Sequence, residues 1–157
     1  MKKSLVVALV MLSQSVFALS TGTLVISGSV NPVNDIVITP NSNATSLSIT
    51  GGETNKLVAS VSESSNNLTG YKIFMKSANA SKLVHGVDLT KSTPYTVSYN
   101  GATAVSLTTA DQQVKNVTSL PGLTTVASNV NVNVTAYPLA PAGTYSDTIT
   151  ISIVANN

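Results

Sequence analysis

The sequence predicts an all-β protein arranged as a β-sandwich, on three observations. Ser, Thr and Asn make up more than a third of the 157 residues, and all are uncharged hydrogen-bonding types with poor helix propensity. Hydrophobic residues recur with a period of two almost throughout, as expected of strands with one buried face. Turn-forming residues interrupt these runs at spacings of about 8 to 12 residues, which suits a sandwich better than a barrel around a large cavity.

Residues 1–18 stand apart from this pattern. Lys2 and Lys3 form a positive n-region, Leu5 to Leu12 is an apolar h-region, and Val16 and Ala18 satisfy the small-residue rule of a cleavage site. This reads as a secretory signal peptide cleaved after Ala18, with Ser20 as the alternative position. Its apolar run is shorter than the roughly 20 residues that span a bilayer, so no membrane span is expected after cleavage. The expected route is through the periplasm to the cell surface. Lys2 and Lys3 also account for the formal charge of +2; without them six lysines balance six acidic residues. A neutral surface with no arginine and no basic cluster argues against a nucleic-acid partner.

The strands follow in order. Strict alternation marks Leu24, Ile26, Gly28 and Val30; Leu57, Ala59 and Val61; Tyr71, Ile73 and Met75; Tyr95, Val97 and Tyr99; Val130, Val132, Val134 and Ala136; and Ile149, Ile151 and Ile153. Ile36 to Thr39, Leu47 to Thr50 and Val105 to Thr108 are shorter candidates, and 112–119 is ambiguous between a strand and a helical turn. Asn100-Gly101 should form a tight type I′ hairpin turn, because both residues tolerate positive φ. Gly51-Gly52, Asn66-Asn67, Pro121-Gly122 and residues 138–143 mark other reversals. The domain plan is therefore a signal peptide at 1–18, an N-terminal extension or first strand at 19–34, and one sandwich at 35–157.

Catalytic chemistry finds little support. Without cysteine there is no disulfide, thiol nucleophile or cysteine metal site. His85 is the sole imidazole, read as a surface or loop histidine, and no G-x-S-x-G elbow occurs. The six acids are scattered singly, suggesting neither a carboxylate pair nor a calcium loop. An enzyme, a metal and a cofactor are thus not expected. Asn43, Asn67, Asn116 and Asn133 each begin an N-x-T triplet, a match expected by chance in so Asn- and Thr-rich a chain. Tyr71, Tyr95, Tyr99, Tyr137 and Tyr145 could offer a sugar-stacking platform, but three lie in period with aliphatic residues and read as core-edge positions.

The two ends carry the most specific signal. The stretch Ala142-Gly143-Thr144-Tyr145-Ser146-Asp147-Thr148-Ile149-Thr150-Ile151-Ser152-Ile153 resembles the AGTYSDTVTVTV ending of spore-coat-U-like domains and the related Csu-type chaperone-usher pilins. Gly22 to Val30, alternating apolar residues interrupted by Gly28, is similar to the donor strand of pilin N-terminal extensions. Pilins of this type carry a cysteine near where Asp35-Ile36-Val37 stands, and this chain has none.

The resemblance implies an immunoglobulin-like sandwich lacking one strand, which a neighbouring subunit supplies by β-augmentation. On that expectation Leu24, Ile26 and Val30 insert into the neighbour, and Gly28 allows close backbone approach. Ile149, Ile151 and Ile153 line the acceptor groove. The implied function is a secreted structural subunit of a fimbria or surface coat serving adhesion or biofilm formation, a homo-oligomer formed by strand exchange with the help of a periplasmic chaperone and an outer-membrane usher. The alternative is a self-contained extracellular sandwich that binds a glycan or surface protein, with residues 23–30 as its own edge strand.

Overall fold

The computed structural model describes residues 20–156. The expected signal peptide and its Ala18 cleavage position lie outside the described residues. The chain divides into two units after Val30. In the first, residues 20–30 are exposed and carry no regular secondary structure.

The second unit contains nine strands among the described residues: β1 (Asn34–Pro40), β2 (Glu53–Ser65), β3 (Tyr71–Ser77), β4 (Lys82–His85), β5 (Ser92–Tyr99), β6 (Gln112–Val117), β7 (Thr124–Val134), β8 (Tyr145–Ser146) and β9 (Ile149–Ala155). They form two antiparallel sheets, one ordered β1-β2-β7-β5-β4-β8 and the other β6-β3-β9. The expected all-β sandwich is therefore what the chain forms.

Alternation decides which side chains meet between the sheets. On β3, Tyr71, Ile73, Met75 and Ser77 are buried while Lys72, Phe74 and Lys76 face outward. Val61 on β2, Tyr95, Val97 and Tyr99 on β5, and Val130, Val132 and Val134 on β7 complete the facing layer. Such a core excludes water from apolar surface at about 25 cal/mol per Å².

A buried ion pair ties the layers. Glu63 on β2 occupies an inward position and has no exposed surface. Its carboxylate accepts from the hydroxyls of Tyr71 (2.6 Å) and Tyr99 (2.5 Å) and from Nζ of Lys115 (2.7 Å). Tyr71 and Lys115 belong to the small sheet and Glu63 and Tyr99 to the large one, so the cluster crosses the sandwich.

Some local expectations are met and others revised. The 112–119 segment is a strand over β6, and Asn100 and Gly101 adopt φ of 48° and 77°, closed by the Ala102 N–H to Tyr99 carbonyl bond of 3.0 Å. Val105 pairs with Val97 as a single bridge rather than a full strand. Leu47 to Thr50 is not a strand; it follows a 3₁₀ turn at Ser42–Thr45, and Leu47 and Ile49 pack singly against the core. Short β4 and β8 gave too few alternations to be read from sequence.

His85 is not a surface or loop residue. It lies on β4, where two-residue spacing puts it on the inward face with Leu83, and it is 6% exposed. Nδ1 accepts the backbone N–H groups of Val87 (3.2 Å) and Asp88 (2.9 Å), which leaves Nε2 as the donor to the Ala142 carbonyl at 3.2 Å. Its ring meets Tyr145 edge-on, with centroids 5.1 Å apart. The histidine is thus a structural plug beneath two loops.

Candidate strand-acceptor groove

β9 pairs with β3 along its whole length, from Ile149 opposite Ser77 to Ala155 opposite Tyr71; β1 approaches it, but it is hydrogen-bonded to no second strand among the described residues. β1 pairs with β2 alone and forms the matching edge of the large sheet. An unpaired strand edge presents a row of backbone donors and acceptors to whatever comes alongside.

An apolar groove of about 210 Å³ opens between these elements. Ile38 and Pro40 of β1 form one wall and Ile149 and Ile151 of β9 the other, with Val130 and Val132 of β7 as floor. Alternation explains the β9 wall: Ile149, Ile151 and Ile153 turn toward the core while Thr150 is exposed. All three isoleucines remain only partly buried, and Ile38 is 41% exposed. Fully covering an isoleucine is worth about 1.5–3 kcal/mol, so each partly buried β9 isoleucine retains at most about a third of that gain for an added strand.

Asp147 closes one end of the groove. Its Oδ1 accepts the backbone N–H groups of Asn79 (3.0 Å) and Thr148 (2.7 Å), and its Oδ2 accepts the hydroxyls of Ser77 (2.5 Å) and Tyr95 (2.7 Å). Burial, reinforced by the carboxylate of Asp147, pushes the Tyr95 hydroxyl above its ordinary pKa, so it stays a donor. The carboxylate is saturated by these four donors and anchors the entry to β9.

The sequence-derived acceptor residues separate slightly. Ile149 and Ile151 line the groove, whereas Ile153 lies outside its lining and packs against the core further along the strand. The donor candidates Leu24, Ile26 and Val30 are 85%, 89% and 87% exposed, and nothing lies within 4 Å of where a Cβ on Gly28 would sit. Sequence reading missed the β1 wall and Asp147. Asp147 lies inside the C-terminal motif, but only the fold brings it to Tyr95 and Ser77.

Other candidates are absorbed into the structure. Tyr71, Tyr95 and Tyr99 are buried with their hydroxyls on Glu63 or Asp147, so the five tyrosines form no stacking platform. The amide nitrogens of Asn43, Asn67 and Asn133 donate within the fold, to Leu57, to Gly70 and Asn156, and to Thr96 respectively. No helix among the described residues is long and apolar enough to cross a membrane. In comparisons with protein-family models and with curated proteins, the chain matches none.

Proposed function

We propose that the chain is a structural subunit of a secreted fimbria or surface coat, joined to its neighbours by donation of residues 22–30. The observation that carries this reading is the open groove between β1 and β9, whose isoleucine wall stays partly exposed beside an unpaired strand edge. Leu24 to Val30 spans seven residues, as do β1 and β9, so an extended donor of about 20 Å matches both walls. Its apolar side chains are almost wholly exposed, an arrangement that favours a second binding surface.

Assembly proceeds by β-augmentation. Backbone groups of the incoming segment pair with the free edge while Leu24, Ile26 and Val30 bury against the groove. Until then the open edge is an aggregation hazard, which gives a periplasmic chaperone and an outer-membrane usher their role. The resemblance of the C-terminal stretch to spore-coat-U-like and Csu-type subunits supports the same assignment, as does the signal-peptide pattern for export. The resulting fibre or coat serves adhesion or biofilm formation, and no catalytic step is assigned to the chain.

The test is electrophoresis of the secreted full-length chain without boiling. A ladder of detergent-resistant oligomers is expected, and Ile26→Asp should remove it while leaving the circular dichroism spectrum unchanged. A wild-type chain that stays monomeric at every concentration, with or without a chaperone, overturns the proposal.

A further inference from the structure

We infer that Asn66 is a positioning residue that prevents the chain from filling its own groove and so directs its donor segment to a second copy. The inference rests on the strand-donation reading above and concerns residues 31–34 and 65–67.

The problem is one of distance. Only Asn31, Pro32 and Val33 separate the donor segment from β1, and three residues are a common hairpin loop. A return along the outer edge of β1 would place residues 24–30 against the same groove. A tethered segment acts at an effective concentration on the order of millimolar, about a thousandfold above a second copy at micromolar concentration. A freely hinged chain would therefore complete itself and never polymerise.

Asn66 removes the hinge. Its backbone N–H donates to the Val33 carbonyl at 3.2 Å, its Oδ1 accepts the Val33 N–H at 2.8 Å, and its Nδ2 donates to the Asn31 carbonyl at 2.8 Å. The side-chain amide takes the place of a further ladder residue, extending the β1–β2 pairing beyond Asn34 and Ser65. Ser65 reinforces it by donating to Asn34 Oδ1 at 2.7 Å. Pro32 fixes its own φ and holds Asn31 extended. Residues 31–33 thus run on along the end of β2, where a hairpin would need them to reverse.

The experiment compares three full-length chains by native mass and by uptake of a synthetic peptide of residues 22–30. Wild type should form concentration-dependent oligomers. Asn66→Ala combined with Pro32→Gly should raise the monomer fraction about tenfold or more at equal concentration. Those monomers should refuse the peptide, because their own segment occupies the groove. In case that variant fails to fold, a flexible Gly-Ser insertion between Val30 and Asn31 leaves Asn66 intact and should give the same self-filled monomers.

A residue that merely stabilises the fold would lower the unfolding midpoint without moving this partition. Oligomers like wild type from the folded Asn66→Ala, Pro32→Gly chain, or from the insertion chain, overturn the inference. A separate control bears on the underlying reading: a full-length Leu24→Asp, Ile26→Asp chain should stay monomeric and take up the peptide. Failure there rejects strand donation itself, whereas its success beside an unchanged Asn66 variant rejects only the role of Asn66.

Discussion

Lys115 on β6 holds its Nζ 2.7 Å from Oε2 of Glu63 on β2, closing an ion pair across the sandwich around a carboxylate with no exposed surface. In a chain without disulfides this pair joins the two sheets at a fixed register. Burial alone would raise the Glu63 carboxyl, but hydrogen bonds from Lys115, Tyr71 and Tyr99 outweigh it and hold the group below its ordinary value of 4.5. The same burial and the bond to Glu63 push the hydroxyls of Tyr71 and Tyr99 upward, so both remain donors.

A pH dependence follows. With its folded value below the unfolded one, Glu63 contributes stability that is fully present above pH 4.5 and is lost as the pH falls through the folded value. Urea midpoints should decline on acidification below that point in the wild type and decline less in Glu63→Gln. Glu63→Ala strands the ammonium and both hydroxyls and should cost about 3–5 kcal/mol at neutral pH. An identical acid profile in Glu63→Gln would remove this carboxylate from the acid response.

On β9, adjacent residues should respond unequally to an added charge. Ile151→Asp puts a carboxylate on the groove wall opposite fully buried Met75, at a cost of about 2 kcal/mol or more. Thr150→Asp, on the exposed face, should stay within about 0.5 kcal/mol. Chemical denaturation of the two variants checks this, and equal losses would contradict the one-sided burial of β9.

Gly70 should tolerate no side chain. Its φ is +79°, and a Cβ there would run into the carbonyl oxygen of Val117. Gly70→Ala is expected to lose more than about 1 kcal/mol from left-handed backbone strain and displacement of the β3–β6 pairing. Thermal unfolding would show this as a midpoint drop of several degrees, and an unshifted midpoint would contradict the tight approach at Gly70.

What was legible in the sequence was what obeys a local rule. The β3 and β5 faces follow from strict alternation, and the Asn100-Gly101 turn follows from the φ its residues tolerate. β4 and β8, at four and two residues, are too short for a period to register and exist because tertiary pairing holds them. Glu63 and His85 sit in period with apolar neighbours, yet their polarity hid their burial; their partners Lys115, Tyr99 and Ala142 are distant in sequence. The β9 wall was visible in Ile149 and Ile151. The β1 wall and Asp147 required the fold, since nothing local to Ile38 or Pro40 shows what they face.

The central claim is that the β1–β9 groove accepts a strand of the sequence Gly22 to Val30. The most direct measurement is binding of that synthetic peptide to a chain lacking residues 22–30, followed by fluorescence anisotropy and thermal unfolding. The account predicts a folded, monomeric acceptor that takes up one peptide per chain, gains thermal stability, and releases it slowly because a row of backbone bonds and three apolar side chains must leave together. A folded chain that binds no peptide, or one that unfolds on deletion and is not rescued by it, would contradict the account.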